Sequence, residues 1–130
     1  LPAIKLHKRI GEDLDALDRA NNAIADPNAD LSRFLQANLD WHVGVAIASH
    51  NELLIGFMTG LSQAIYAGTE NASFVDDSVR DVTARAHKSI TRAIRERDAE
   101  AAGRRMRRHV HTYALAALEV DQRDSITVDD

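Results

Sequence analysis

The stretch His87-Lys-Ser-Ile-Thr-Arg-Ala-Ile-Arg-Glu-Arg-Asp98-Ala-Glu-Ala-Ala-Gly-Arg-Arg-Met-Arg-Arg-His109 decides how this chain folds. Asp98 reads as the start of a helix. Its side chain can cap the backbone, and Glu100 adds an acid to the first turn, where the helix dipole favours negative charge. The residues before it read as the end of another helix. His87 lies eleven residues before Asp98 and His109 eleven after it. Eleven residues make close to three helical turns, so the two imidazoles of a helical hairpin stand level and project in about the same direction. Two level histidines inside a helix pair point to a metal site.

Composition bounds what surrounds that hairpin. The chain has 130 residues, 45% of them hydrophobic and only 5% aromatic, so one domain with an aliphatic core is expected. Ala and Leu form helices readily, and only two prolines interrupt them, so the class is all-α. There is no cysteine, which removes disulfides, zinc-thiolate sites and thiol catalysis. No apolar run reaches the roughly 20 residues of a membrane span, and no secretory signal is visible. A cytoplasmic protein is expected. The net charge of −4 speaks against nucleic-acid binding by these residues alone. The chain does not begin with Met, which suggests a processed or truncated piece.

Six helices are expected. Residues 1–9 look like the end of a first helix, truncated, with Gly11 as its stop. A second runs from about Glu12 to Ala25, with Leu14, Leu17 and Ile24 on one face. Asp26-Pro27-Asn28 is a turn. A third runs from about Asp30 to Ser49, and Asn38 and His42 interrupt its apolar stripe one turn apart. A fourth, about Glu52 to Ala67, is apolar on most sides and should be the most buried. Thr69 to Ser73 form a polar loop. The fifth, about Phe74 to Arg97, should bury Val82 and Ile90. The sixth, Asp98 to about Val120, should bury Met106, Val110, Tyr113 and Leu118. Residues 121–130 read as a polar tail.

Asn38, His42, His87 and His109 all border stripes that face the interior, where polar groups are costly unless paired. Three neutral imidazoles and an amide oxygen suit a divalent metal. Zinc comes first, with Ni, Mn, Co or Fe compatible. Histidines near a helical core are also commonly plain hydrogen-bonding residues, and that reading stands beside the first. His111 points about 200° away from His109 and should face solvent. His7 and His50 sit at helix ends. Asp40 falls off the stripe. The arginines flanking Asp98 form a basic cluster, read as a solvated face rather than a phosphate contact. Arg105 is the exception: it lies one turn before His109 and could meet an anionic ligand. Thr83, one turn before His87, is the second candidate effector contact. No phosphate loop or nucleophile elbow is present. A metalloenzyme would need a general base beside the metal, and no carboxylate shares these stripes.

Two segments carry a family likeness: Asn38-Leu-Asp-Trp-His42 with Val-Gly-Val-Ala-Ile-Ala-Ser-His-Asn51, and the run from His87 to His109. In these the chain resembles the FCD-type C-terminal ligand-binding domain of GntR-family bacterial transcription regulators, from about Leu6 to Leu118. The family pattern is an Asp or Asn four residues before a His, a later His, and another after an Asp-marked turn. The resemblance implies an antiparallel helical bundle, a metal held by Asn38, His42, His87 and His109, and a small carboxylate effector such as a sugar acid or organic acid. It also implies a homodimer, and DNA binding through an N-terminal winged-helix domain that these residues do not include. Two positions depart from the pattern. Asn38 replaces the commoner Asp, leaving a site more positive and more receptive to an anion. His50 stands where a small residue is usual.

Overall fold

A computed structural model describes the backbone of residues 2–68 and 75–127, and side chains from residue 9 to 119 apart from 65, 67–74 and 117. The described residues hold five helices and no strand: α1 (Pro2–Ala25), α2 (Leu31–Ala48), α3 (Glu52–Gly68), α4 (Asp77–Arg95) and α5 (Ala99–Thr127). The all-α class is as expected. The chain divides into two compact units, one of residues 1–70 with α1 to α3 and one of residues 71–130 with α4 and α5. No helix among the described residues is long and apolar enough to cross a membrane.

The count of six fails at Gly11. α1 runs through it without a break, and no glycine among the described residues has a positive φ. A glycine inside a helix costs only about 1 kcal/mol relative to alanine, and packing of α1 along α2 outweighs that. Leu14, Leu17 and Ile24 are buried on α1, as their spacing required. α1 packs along α2, which buries Phe34, Leu35, Trp41 and Ala46. The two helices approach closely at Gly44, where an added Cβ would come within 2.8 Å of Leu17 Cδ2.

Capping fixes where helices begin. Asp30 Oδ1 accepts from Arg33 N at 2.8 Å, starting α2. Asp76 Oδ1 accepts from Val79 N at 2.9 Å, starting α4. The α2–α3 turn is closed by His50, whose φ of 55° is left-handed. Its Nε2 stands 3.1 Å from Asp13 Oδ2, tying the turn to α1.

α3 is not the most buried helix. Leu53, Leu54, Phe57 and Leu61 are all exposed on it. Within its unit α3 packs along α2. The face carrying Ile55, Met58, Ser62 and Tyr66 is the more covered one, and Tyr66 shares a hydrogen bond of 2.9 Å with Ser32 of α2. Overall apolarity said nothing about how many partners the helix would find. Val82, Val110 and Leu118 are likewise exposed rather than buried. The covered stripe of α4 is instead Thr83, Ala84, His87, Ile90, Thr91 and Ala93. α5 continues past Val120 to Thr127, where the sequence suggested a tail. The expected loop Thr69–Ser73 and the side chain of His7 lie outside the described residues.

Candidate metal centre

The hairpin of α4 and α5 turns on three residues. Glu96 caps α4, and Arg97 adopts a left-handed φ of 61°. Asp98 N donates to Ala93 O at 2.9 Å and Arg97 N to Ile94 O at 3.0 Å. This is a Schellman closure, in which the left-handed position is normally glycine. Asp98 then starts α5, its Oδ1 accepting from Ala101 N at 2.9 Å. Replacing Arg97 by Gly relieves the Cβ strain and should stabilise the hairpin by roughly 0.5–1 kcal/mol. Urea denaturation of Arg97→Gly checks this. A lower midpoint than the parent would show that the arginine side chain contributes more than its backbone costs.

The tight turn sets His87 and His109 level. His87 is fully buried and His109 is 7% exposed. Their Nε2 atoms are 3.0 Å apart and the rings meet edge to face. Two nitrogens bound to one ion at ~2.1 Å stand ~3.0 Å apart at a right angle and ~3.4 Å apart in a tetrahedron. The spacing therefore fits a shared divalent ion. It equally fits one neutral imidazole donating to the other. Burial lowers the His109 pKa below its ordinary 6.5, which keeps the ring neutral and its lone pair available.

A cleft of about 130 Å³ opens beside His109. Its walls include Val79, Val82, Thr83, His109, Thr112 and Tyr113. Thr83, only 2% exposed, is part of the cleft wall. Burial pushes the Tyr113 phenol up, so it remains a hydrogen-bond donor at neutral pH. Arg105 Nη1 donates to Ser89 O at 2.8 Å and pins α5 to α4. Spacing marks Tyr113 only as a core residue, and nothing in the sequence signals its place in the cleft.

Asn38 and His42 lie one turn apart on α2, in the other unit. The His42 ring stands edge-on to Trp41, with centroids 5.0 Å apart. Asn38 is 9% exposed, and its Oδ1 is buried with no hydrogen-bond partner among the described residues. A buried amide oxygen without a donor is costly, and a cation would satisfy it. The donor chemistry thus fits a divalent metal at both places. His111 is exposed, as its position around α5 required.

The His109 shift has a consequence for stability. The folded state binds a proton less readily than the unfolded chain. The neutral ring's contribution is therefore complete above about pH 6.5 and is lost as pH falls below it. In chelator, the melting temperature should fall between pH 7.5 and 5.5, with a shallower fall in His109→Gln. Equal slopes in the two proteins would contradict this.

The FCD domain family matches residues 5–112 of the chain. The chain belongs to the FCD domain family. None of the curated proteins matches it, and no solved structure does. The FCD domain is the C-terminal domain of GntR-family regulators, a regulatory rather than a catalytic module. FCD domains bind small-molecule effectors and are known to bind metals.

Proposed function

We propose that this FCD domain is the effector-sensing part of a cytoplasmic GntR-family transcription regulator. Asn38, His42, His87 and His109 hold a divalent metal, with zinc the first choice. The observation that carries the reading is the buried His87–His109 pair, 3.0 Å between Nε2 atoms. The buried Asn38 Oδ1 supports it independently. When bound, the ion supplies positive charge and open coordination positions for an anion.

This chain's own residues then shape what binds. Thr83 and Tyr113 present hydroxyls to a small carboxylate effector, a sugar acid or organic acid, in the cleft beside His109. Val79 and Val82 wall its apolar part. Arg105 contributes by holding α5 against α4 through Ser89 O. Effector binding shifts the packing of the helices in a homodimer, and so the placement of winged-helix domains that precede this one and contact DNA.

A thermal-shift screen of small organic acids, run with zinc and again with chelator, tests the effector. An acid that raises the melting temperature only when metal is present, and fails to do so in Thr83→Val, is the expected result. Acids that act equally in chelator would overturn the metal-linked reading. The second reading, a metal-free helical interaction module, rests on the same 3.0 Å contact as a direct imidazole hydrogen bond. It predicts a melting temperature indifferent to both chelator and metal.

A further inference from the structure

We propose that the groove between α2 and α3 holds a small organic ammonium, with Asp40 as its counter-ion. This is a second ligand site. It goes beyond the metal and effector reading above and uses none of its residues.

Two matching stripes build the groove. Gln36, Leu39, Asp40 and Val43 stand at i, i+3, i+4 and i+7 on α2. Thr59, Ser62, Gln63 and Tyr66 repeat that spacing on α3. Each set is one face of its helix. Together they enclose a hollow of about 400 Å³, within the size range of small-molecule sites. All of its walls belong to the first unit. Asp40 is two residues from Asn38 and two from His42, so it lies on the far side of α2 from both.

Helix packing gives no reason for this composition. Facing stripes of packed helices are normally apolar. Here only Leu39 and Val43 are, and α3 turns polar side chains toward α2 although most of that helix is apolar.

The hydrogen bonds decide what the hollow can take. Thr59 Oγ1 donates to Ile55 O at 2.7 Å, and Ser62 Oγ donates to Thr59 O at 2.9 Å. Each hydroxyl thus directs its one proton to the helix backbone and offers the hollow only lone pairs. Gln36 Nε2 donates to Asp40 Oδ1 at 2.9 Å. That bond orients the carboxylate and leaves its other lone pairs, and the Gln36 amide oxygen, as acceptors. Asp40 is the only charged residue on the walls, and no Lys, Arg or His lines them. The hollow is therefore negative, rich in acceptors and poor in donors.

The complement of such a site is a cation with several N–H groups. A primary ammonium has three, and its hydrogen bonds to a carboxylate are of the strong, charge-assisted kind. Leu39 and Val43 offer contact to a short aliphatic tail. A hard divalent ion fits poorly, because a single carboxylate would be its only anionic ligand. An anion would find no positive partner. The ligand class is a short-chain primary alkylamine.

The test is amide NMR of the whole chain in chelator, at fixed neutral pH and ionic strength, with n-butylamine as the probe. Butylamine should shift the signals of residues 36–43 and 59–66 with a dissociation constant on the order of 1 mM. Asp40→Asn keeps the size of the side chain and should weaken binding at least ~10-fold. Thr59→Val removes one acceptor oxygen and should weaken it ~3-fold. Tetramethylammonium has the charge but no N–H, and should give no saturable shift. Both substitutions lie at exposed positions, and unchanged signals elsewhere in the spectrum show that a variant is folded. If one misfolds, the other variant and tetramethylammonium decide. No saturable shift with butylamine, parental affinity in a folded variant, or tetramethylammonium binding as well as butylamine overturns the proposal. Chelator is present throughout, so a failure here leaves the metal reading standing, and loss of the metal reading leaves this one standing.

Discussion

Replacing His87 by Ala should lower divalent-metal affinity by at least ~100-fold, more than the loss expected from removing an outer hydrogen-bond partner of a ligand. His87 is fully buried, and its Nε2 faces that of His109 at 3.0 Å. Truncation removes one donor and leaves a space that water fills without restoring a nitrogen ligand. The protein purified without chelator should carry close to one equivalent of metal, and His87→Ala and His109→Ala almost none. The parent should also melt higher when metal is added. A ligand that binds only the folded state at a hundred times its dissociation constant adds about 2.7 kcal/mol. Elemental analysis after gel filtration, together with paired melts in zinc and in EDTA, checks both. Equal metal in parent and variants would remove the metal from the account.

The second large effect is in the core of the first unit. Phe34→Ala should cost about 3–5 kcal/mol. The ring is fully buried near the start of α2, one turn beyond the Asp30 cap. Its removal loses the transfer free energy of the side chain and leaves a cavity that α1 and α2 fill only in part. Against a total stability of roughly 5–15 kcal/mol for a domain, that is a large share of the margin and should lower the urea midpoint markedly. Leu118→Ala, at a side chain 55% exposed, should change stability by under ~0.5 kcal/mol. Urea midpoints separate the two. A Phe34→Ala midpoint near that of the parent would show that the helices collapse onto the space without loss.

Much of this was written locally in the sequence. The Asp98 cap and the equal spacing of His87 and His109 are short-range facts, and a hairpin with so tight a turn leaves the two imidazoles no other level. Asp30 likewise announces α2. The failures were of a different kind. Gly11 looks like a stop because glycine is costly inside a helix, but that cost is smaller than the packing of a long α1 along α2. Leu53 and Phe57 read as core because hydropathy records what a face prefers, not which partner reaches it. Val110 and Leu118 read as buried for the same reason. Arg97 occupies a left-handed position that composition would assign to glycine. Nothing in the sequence shows that the Ser89 carbonyl lies within reach of Arg105 Nη1. Trp41 gave no signal as a core anchor, because it sits beside His42 at the edge of the stripe drawn through Asn38.

The central proposal is that Asn38, His42, His87 and His109 share one ion. An anomalous diffraction scan on crystals grown with metal and without chelator tests it most directly. The account predicts a single strong anomalous peak bonded to the Asn38 Oδ1 and to one nitrogen of each of the three histidines. A peak that leaves out either His87 or His109, or density showing the two rings hydrogen-bonded to each other with no ion between them, would contradict it.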